Sequence, residues 1–205
     1  MLRLVNLLLA LSVLPGAANA LQFLRCDKAQ IAYATAAVMG AQEIVRVAGA
    51  AVGDTATYRR WFGAFSAANA EKVRSSLKAV DRALARDDVT LVCPRPGEDG
   101  CAFDTYANVL PNRPYYVNLC SAFFTQPTMA GVITTARAFD SGTREGTIIH
   151  EISHFDIVAG TDDHCYTREI CTGFATTDPS RAINNADSFQ YFAEDVVLGA
   201  QGRLP

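Results

Sequence analysis

Two of the chain's three histidines, His150 and His154, bracket a glutamate in the string His150-Glu151-Ile152-Ser153-His154. Side chains four apart on a helix stand one above the other, so both imidazoles reach a single metal ion. Glu151 follows the first histidine directly, which sets it beside the water such an ion activates rather than on the ion. The pattern H-E-x-x-H therefore implies catalytic zinc with Glu151 as general base, and a chain with so few histidines gives coincidence little room. Catalytic zinc needs a third protein ligand and an open position. Glu145, Asp156, Asp162, Asp163 and His164 lie near enough in sequence, and Glu169 or Glu194 on a later helix are alternatives. Metzincins are excluded, because Ile157 and Gly160 stand where that class has glycine and histidine.

The elements that must hold these groups follow from periodicity. Residues 27–50 are alanine-rich with Ile31, Ala34, Val38 and Ala41 in helical spacing, and 56–85 continue as helix with a break near Gly63. Tyr58, Trp61, Phe62 and Phe65 read as core packing. After Asp88 the character changes: 89–92, 102–110 and 115–119 read as strands of a small, mainly antiparallel sheet. Residues 147–158 read as the active helix, with Ile148, Ile152 and Phe155 on its apolar face and Gly160 as its stop. A last helix runs from Asp187 to about Leu198 and starts at Asn184-Asn185. The fold class is α+β: one domain, with a helical N-terminal layer, a small sheet and the H-E-x-x-H helix.

Arg3, the apolar run 4–14 and Ala18-Asn19-Ala20 have the layout of a secretory signal over residues 1–20, leaving a domain at 21–205. No later stretch is long and apolar enough for a membrane span. The net charge is −3, and removing Arg3 with the signal takes it to −4, which argues against nucleic acid as a partner. The expected location is outside the cell, or the periplasm of a bacterium. Six cysteines in the mature part fit an exported protein with three disulfides. Cys165 and Cys171 on one continuous helix would lie about 240° apart and about 9 Å along the axis, so their pairing requires the backbone between them to turn.

Gly160, Thr161, Asp163 and Tyr166 extend the match. Together with H-E-x-x-H they resemble the aspzincin metalloendopeptidases (deuterolysin and peptidyl-Lys metalloendopeptidase), whose pattern adds a downstream G-T-x-D-x-x-Y-G. Trp61-Phe62-Gly63, Pro111-Asn112-Arg113, Asn185-Ala186-Asp187 and Tyr191-Phe192-Ala193-Glu194 add to the resemblance, which covers roughly residues 26–195. The last glycine of the pattern is Thr167 here, a departure in the turn after Tyr166.

The resemblance implies a zincin-like fold and one zinc ion per chain on His150, His154 and Asp163. It makes Glu151 the general base and Tyr166 the donor to the oxyanion. It also pairs Cys26 with Cys93 and Cys101 with Cys120, leaving Cys165 and Cys171 to each other as a brace near Tyr166. Relatives that cut before lysine line the pocket with an aspartate and, three residues on, a glutamate. Asp187 matches the first and Gln190 replaces the second, so lysine preference is expected to be weakened; Asp187 also fits a helix cap. The expectation is a secreted, monomeric zinc endopeptidase acting on proteins or peptides. A catalytically silent zinc-bound adhesion module and a zinc hydrolase of cell-wall peptides are the alternatives. Cys26 lies six residues past the expected cleavage site, which leaves no room for an inhibitory pro-segment between them.

Overall fold

The computed structural model describes residues 21–135 and 142–202. The expected signal at 1–20 lies outside the described residues. Helix α1 (Lys28–Ala50) opens on a reciprocal cap: the Asp27 carboxylate accepts from the Gln30 N–H at 2.8 Å, and the Gln30 side chain accepts from the Asp27 N–H at 2.9 Å. Its buried residues, from Ala34 to Ala48, recur at three- and four-residue intervals and form one inward face. Small side chains there admit close neighbours. A Cβ at Gly40 would stand 2.8 Å from Cγ of Glu145. Helices α2 (Ala56–Phe62) and α3 (Ala67–Leu84) start on Thr55 and Ser66, whose hydroxyls accept from backbone N–H groups three residues on.

Tyr58, Trp61 and Phe62 of α2 are core, as expected, whereas Phe65 falls past the end of the helix and is exposed, with its ring edge-on to Tyr58 at 5.4 Å. Tyr58, Trp61 and Phe62 are almost wholly buried and meet Phe189, Tyr191 and Phe192 of α8 (Ala186–Ala200). Burying each such side chain contributes about 1.5–3 kcal/mol, which helps to hold α2 against α8.

The sheet has four strands in the order β1-β2-β4-β3, namely β1 (Gln22–Leu24), β2 (Thr90–Val92), β4 (Tyr116–Leu119) and β3 (Ala107–Val109). The reading of a mainly antiparallel sheet needs correction: β1–β2 and β2–β4 are parallel, and only β3–β4 is antiparallel. The reason lies in the connections. Three helices separate β1 from β2 and form a crossover, whereas a short turn joins β3 to β4. The strand expected over 102–110 shrinks to its last part, because residues 101–106 form the loop leading to the free edge of the sheet.

Helix α5 (Arg144–His154) runs through the centre, packed on α1, α3, α8 and β3. Every residue from Glu145 to His154 is buried. Its limits differ from the expected 147–158. Thr143 caps it, accepting from the Gly146 N–H at 3.0 Å. It ends at His154 because Phe155 turns to extended backbone and drives its ring into the core, while the next N–H bonds to the Pro111 carbonyl. Gly160 is thus not the helix stop but part of the following turn, at φ 56°. Helices α4 (Met129–Thr135), α6 (Arg168–Thr177) and α7 (Pro179–Ala182) complete the fold, with a 3₁₀ turn at Ser121–Thr125.

Three disulfides join Cys26 to Cys93, Cys101 to Cys120 and Cys165 to Cys171. The first ties the end of β1 to the end of β2, and the second holds the 101–106 loop to the end of β4. The third closes the short segment that carries Tyr166.

Candidate active site

One turn of α5 separates His150 from His154, and their Nε2 atoms lie 3.0 Å apart. Beyond the helix the chain doubles back at Gly160 and is riveted to α5 by Thr161. The Thr161 N–H donates to the Ser153 carbonyl at 3.2 Å, and the two hydroxyls meet at 2.6 Å. The Thr161 carbonyl accepts from Nδ1 of His154 at 2.8 Å. The chain then crosses the start of α8 in a short parallel bridge between Asp162 and Asn185. There the Asp162 N–H donates to the Asn184 carbonyl at 2.8 Å, and the Ala186 N–H donates to the Asp162 carbonyl at 3.0 Å. The fully buried Asn185 side chain accepts from the N–H groups of His164 and Cys165 at 2.8 and 3.1 Å. Asp163 is therefore held on both sides. Its Oδ1 stands 3.3 Å from each histidine Nε2.

These three donors fit a zinc ion. A tetrahedral ion about 2.0–2.2 Å from each donor spaces them about 3.3 Å apart, close to the observed triangle. The tautomers agree. A carbonyl only accepts, so His154 carries its proton on Nδ1, and His150 points Nδ1 at the Asp187 carboxylate at 3.0 Å. The Nε2 lone pairs of both rings then face each other and a carboxylate, an arrangement of acceptors that requires a cation. Among the described residues these three side chains form the one cluster with metal-ligand geometry.

The charges of these groups are tightly coupled. Burial disfavours charge on His150, yet its bonds to Asp163 and Asp187 lift it well above the ordinary imidazole value. His154 is raised in the same way, chiefly by Asp163 against its burial. Burial would raise Asp163, but both histidines hold it far below the usual carboxylate range. Glu151 moves the other way: burial raises it, with His150 and His154 opposing, which makes it a stronger base than a solvated glutamate. Burial, and then the charge and hydrogen bond of Asp163, push the Tyr166 hydroxyl up to about 12, so it remains a donor.

All these groups open onto a cleft of about 580 Å³. One wall is the 104–109 segment, including β3 at the edge of the sheet, and the other includes Gln190 and Tyr191 of α8. Among the described residues the lining holds four carboxylates, from Asp104, Glu151, Asp163 and Asp187, and no lysine or arginine.

The other sequence candidates fall elsewhere. Asp162 turns to the Asn184 amide at 3.1 Å. His164 leans on Arg181, Glu169 is exposed, and Glu194 is occupied by Thr143 and Arg168. Asp187 lies in the first turn of α8, but its carboxylate bonds His150 rather than capping backbone N–H groups. Neither that contact nor the Asn185 clamp is foreseen from sequence. A zinc-ligating histidine calls for an acceptor at its other nitrogen, but spacing cannot say which distant carboxylate supplies it.

Comparison with known proteins places the chain in a family. Residues 47–194 match the aspzincin family, described as "Lysine-specific metallo-endopeptidase". An extracellular protease of Aeromonas hydrophila is 38% identical over 138 residues, which are 67% of this chain and 35% of that protein. A peptidyl-Lys metalloendopeptidase of Pleurotus ostreatus is 36% identical over 142 residues, 69% of this chain and 74% of that one. The chain thus spans about a third of the first relative and about three quarters of the second. Among solved structures, a zinc peptidase from Grifola frondosa superposes with a TM-score of 0.71 at 27% identity, covering 83% of this chain and 97% of the other. The chain belongs to the aspzincin family of zinc metalloendopeptidases.

Proposed function

We propose that the chain is a secreted zinc endopeptidase that holds one zinc ion on His150, His154 and Asp163. The observation that carries this reading is the convergence of three metal donors, a buried carboxylate and a tyrosine hydroxyl on one cleft beside a free strand edge. Zinc bound there supplies Lewis acidity toward a water molecule and a peptide carbonyl. Glu151 takes the proton of the attacking water and later passes it to the leaving amine. The Tyr166 hydroxyl donates to the oxygen that gains negative charge. Asp187 holds the His150 ring in place, and Asp163 stands close enough to the Tyr166 hydroxyl to favour its protonated form. An extended peptide lies along β3 by adding its backbone to the sheet edge, a mode that suits cleavage within chains.

The acidic lining supports a preference for a basic side chain, with Asp187 and Gln190 in the pocket. Asp187 already shares its charge with His150, and Gln190 adds none, so preference for lysine is weak rather than strict. Three disulfides support export, since such bridges persist in oxidising compartments. Casein digestion with and without a chelator, followed by zinc replacement, tests the activity. Cleavage that persists in the chelator sinks the reading, and loss that zinc reverses supports it. Profiling the cut sites in a peptide mixture then tests the preference: lysine enriched but not exclusive is the expected result.

A further inference from the structure

Thr167 occupies a backbone region that is essentially reserved for glycine, at φ 69° and ψ 153°. It sits between Tyr166, which faces the cleft, and Arg168, which faces the interior. A β-branched residue stays there only if its surroundings impose the conformation. The constraint comes from both sides. The Cys165–Cys171 disulfide closes the segment, and the Arg168 guanidinium grips two carboxylates of α8. One arm donates to Glu194 at 2.5 Å and the other to Asp195 at 2.5 Å, with both carboxylates essentially without solvent contact. The same guanidinium lies 4.6 Å from the ring centre of Tyr191, a cleft-lining residue.

The grip extends to the catalytic helix. Glu194 also accepts from the N–H and hydroxyl of Thr143, both at 2.8 Å, and Thr143 is the cap on which α5 starts. Asp195 accepts from Trp61 at 2.9 Å, anchoring the assembly in the aromatic core. A planar fork that bonds two carboxylates and stacks on a ring is something arginine does and lysine does not.

We propose that Arg168 is a positioning residue for Tyr166, coupling the turn that carries the hydroxyl to the first turn of α5 through Glu194 and Thr143. This rests on the role given above to Tyr166. Arg168 then acts on the rate through the placement of the donor, not through substrate contact or metal affinity.

The test compares Arg168→Lys, Tyr166→Phe and the double variant of the zinc-loaded enzyme on a fluorogenic peptide, with zinc content and melting temperature measured in parallel. Arg168→Lys is expected to lower kcat by roughly ten- to a hundredfold with KM and zinc content unchanged. In the Tyr166→Phe background the same change is expected to cost less than about twofold, because no donor is left to misplace. Glu194→Gln, which keeps the side-chain shape, is expected to give a smaller loss of the same kind and serves if Arg168→Lys does not fold. An unchanged kcat in Arg168→Lys, or an equal loss with and without the Tyr166 hydroxyl, overturns the coupling and leaves the role of Tyr166 intact. Full activity in Tyr166→Phe overturns that role and the coupling with it.

Discussion

The two halves of the candidate metal site are built in opposite ways. His150, Glu151 and His154 sit on α5, a helix buried along almost its whole length, and their mutual placement follows from helical geometry. Asp163 and Tyr166 sit on a segment without regular structure, partly open to solvent, and nothing local dictates where they point. Their positions come from the Asn185 clamp, the Thr161 rivet, the Arg168 fork and a disulfide, all reaching across to α5 or α8 except the bridge. A helix delivers ligands through its own hydrogen bonds, whereas a loop must borrow them. The loop half should therefore be the more sensitive to substitutions away from the chemistry.

The helix half gives the largest effect. Glu151→Gln is expected to lower kcat by about 10²–10⁴-fold while zinc content stays unchanged, if the residue is the base proposed above and not a ligand. Loss of zinc in that variant would show the assignment to be wrong. Asp187→Asn comes next: the His150 ring loses its charged acceptor, and zinc affinity is expected to fall about 10–100-fold in a competition titration. Asn185→Ala probes the loop half, leaving two buried N–H groups unpaired at a cost of about 1–3 kcal/mol in denaturant unfolding. It should also weaken zinc binding, whereas an exposed alanine substitution on α3 should not. If Asn185→Ala binds zinc as the wild type does, the loop needs no clamp and the contrast between the halves fails.

A smaller effect should appear in the pH profile. As the proposed base, Glu151 acts only when ionised, and burial raises it above the ordinary glutamate value. Activity is therefore lost as pH falls through a point above that value, and kcat/KM against pH should place the acid limb there. The smallest expected change is a gain. Thr167→Gly relieves a conformation costing about 1–3 kcal/mol but frees the unfolded chain by about 0.5–1 kcal/mol, so the net stabilisation is about 1 kcal/mol, read as a rise in melting temperature. A fall would show that the threonine side chain holds the turn by contacts of its own.

Legibility in the sequence followed the same division. The H-E-x-x-H string, the apolar face of α5 and the three helices at the N-terminal end are readable because each shows helical spacing over a local stretch. Asp163 was singled out only by family resemblance; by spacing alone, Asp162 and His164 stood equally close. Strand β1 is not legible because three residues carry no usable period. The parallel pairings are not legible either, because strand direction depends on connections that leave no mark on the strands themselves. Helix α5 starts three residues before its expected start and ends four before its expected end, because the Thr143 cap and the burial of Phe155 decide its limits.

The sequence by itself determined that two imidazoles and a carboxylate share one helix, with an acid and a tyrosine a short way downstream. It also placed six cysteines. Only the tertiary structure decided that Asp163 completes the triangle, that Asp187 faces His150, and that Arg168 ties the Tyr166 turn to the start of α5. The physical reason is range. Helical register is set by bonds four residues apart, whereas a loop takes its shape from partners twenty to fifty residues away in the chain, such as Asn185 for His164 and Glu194 for Thr143.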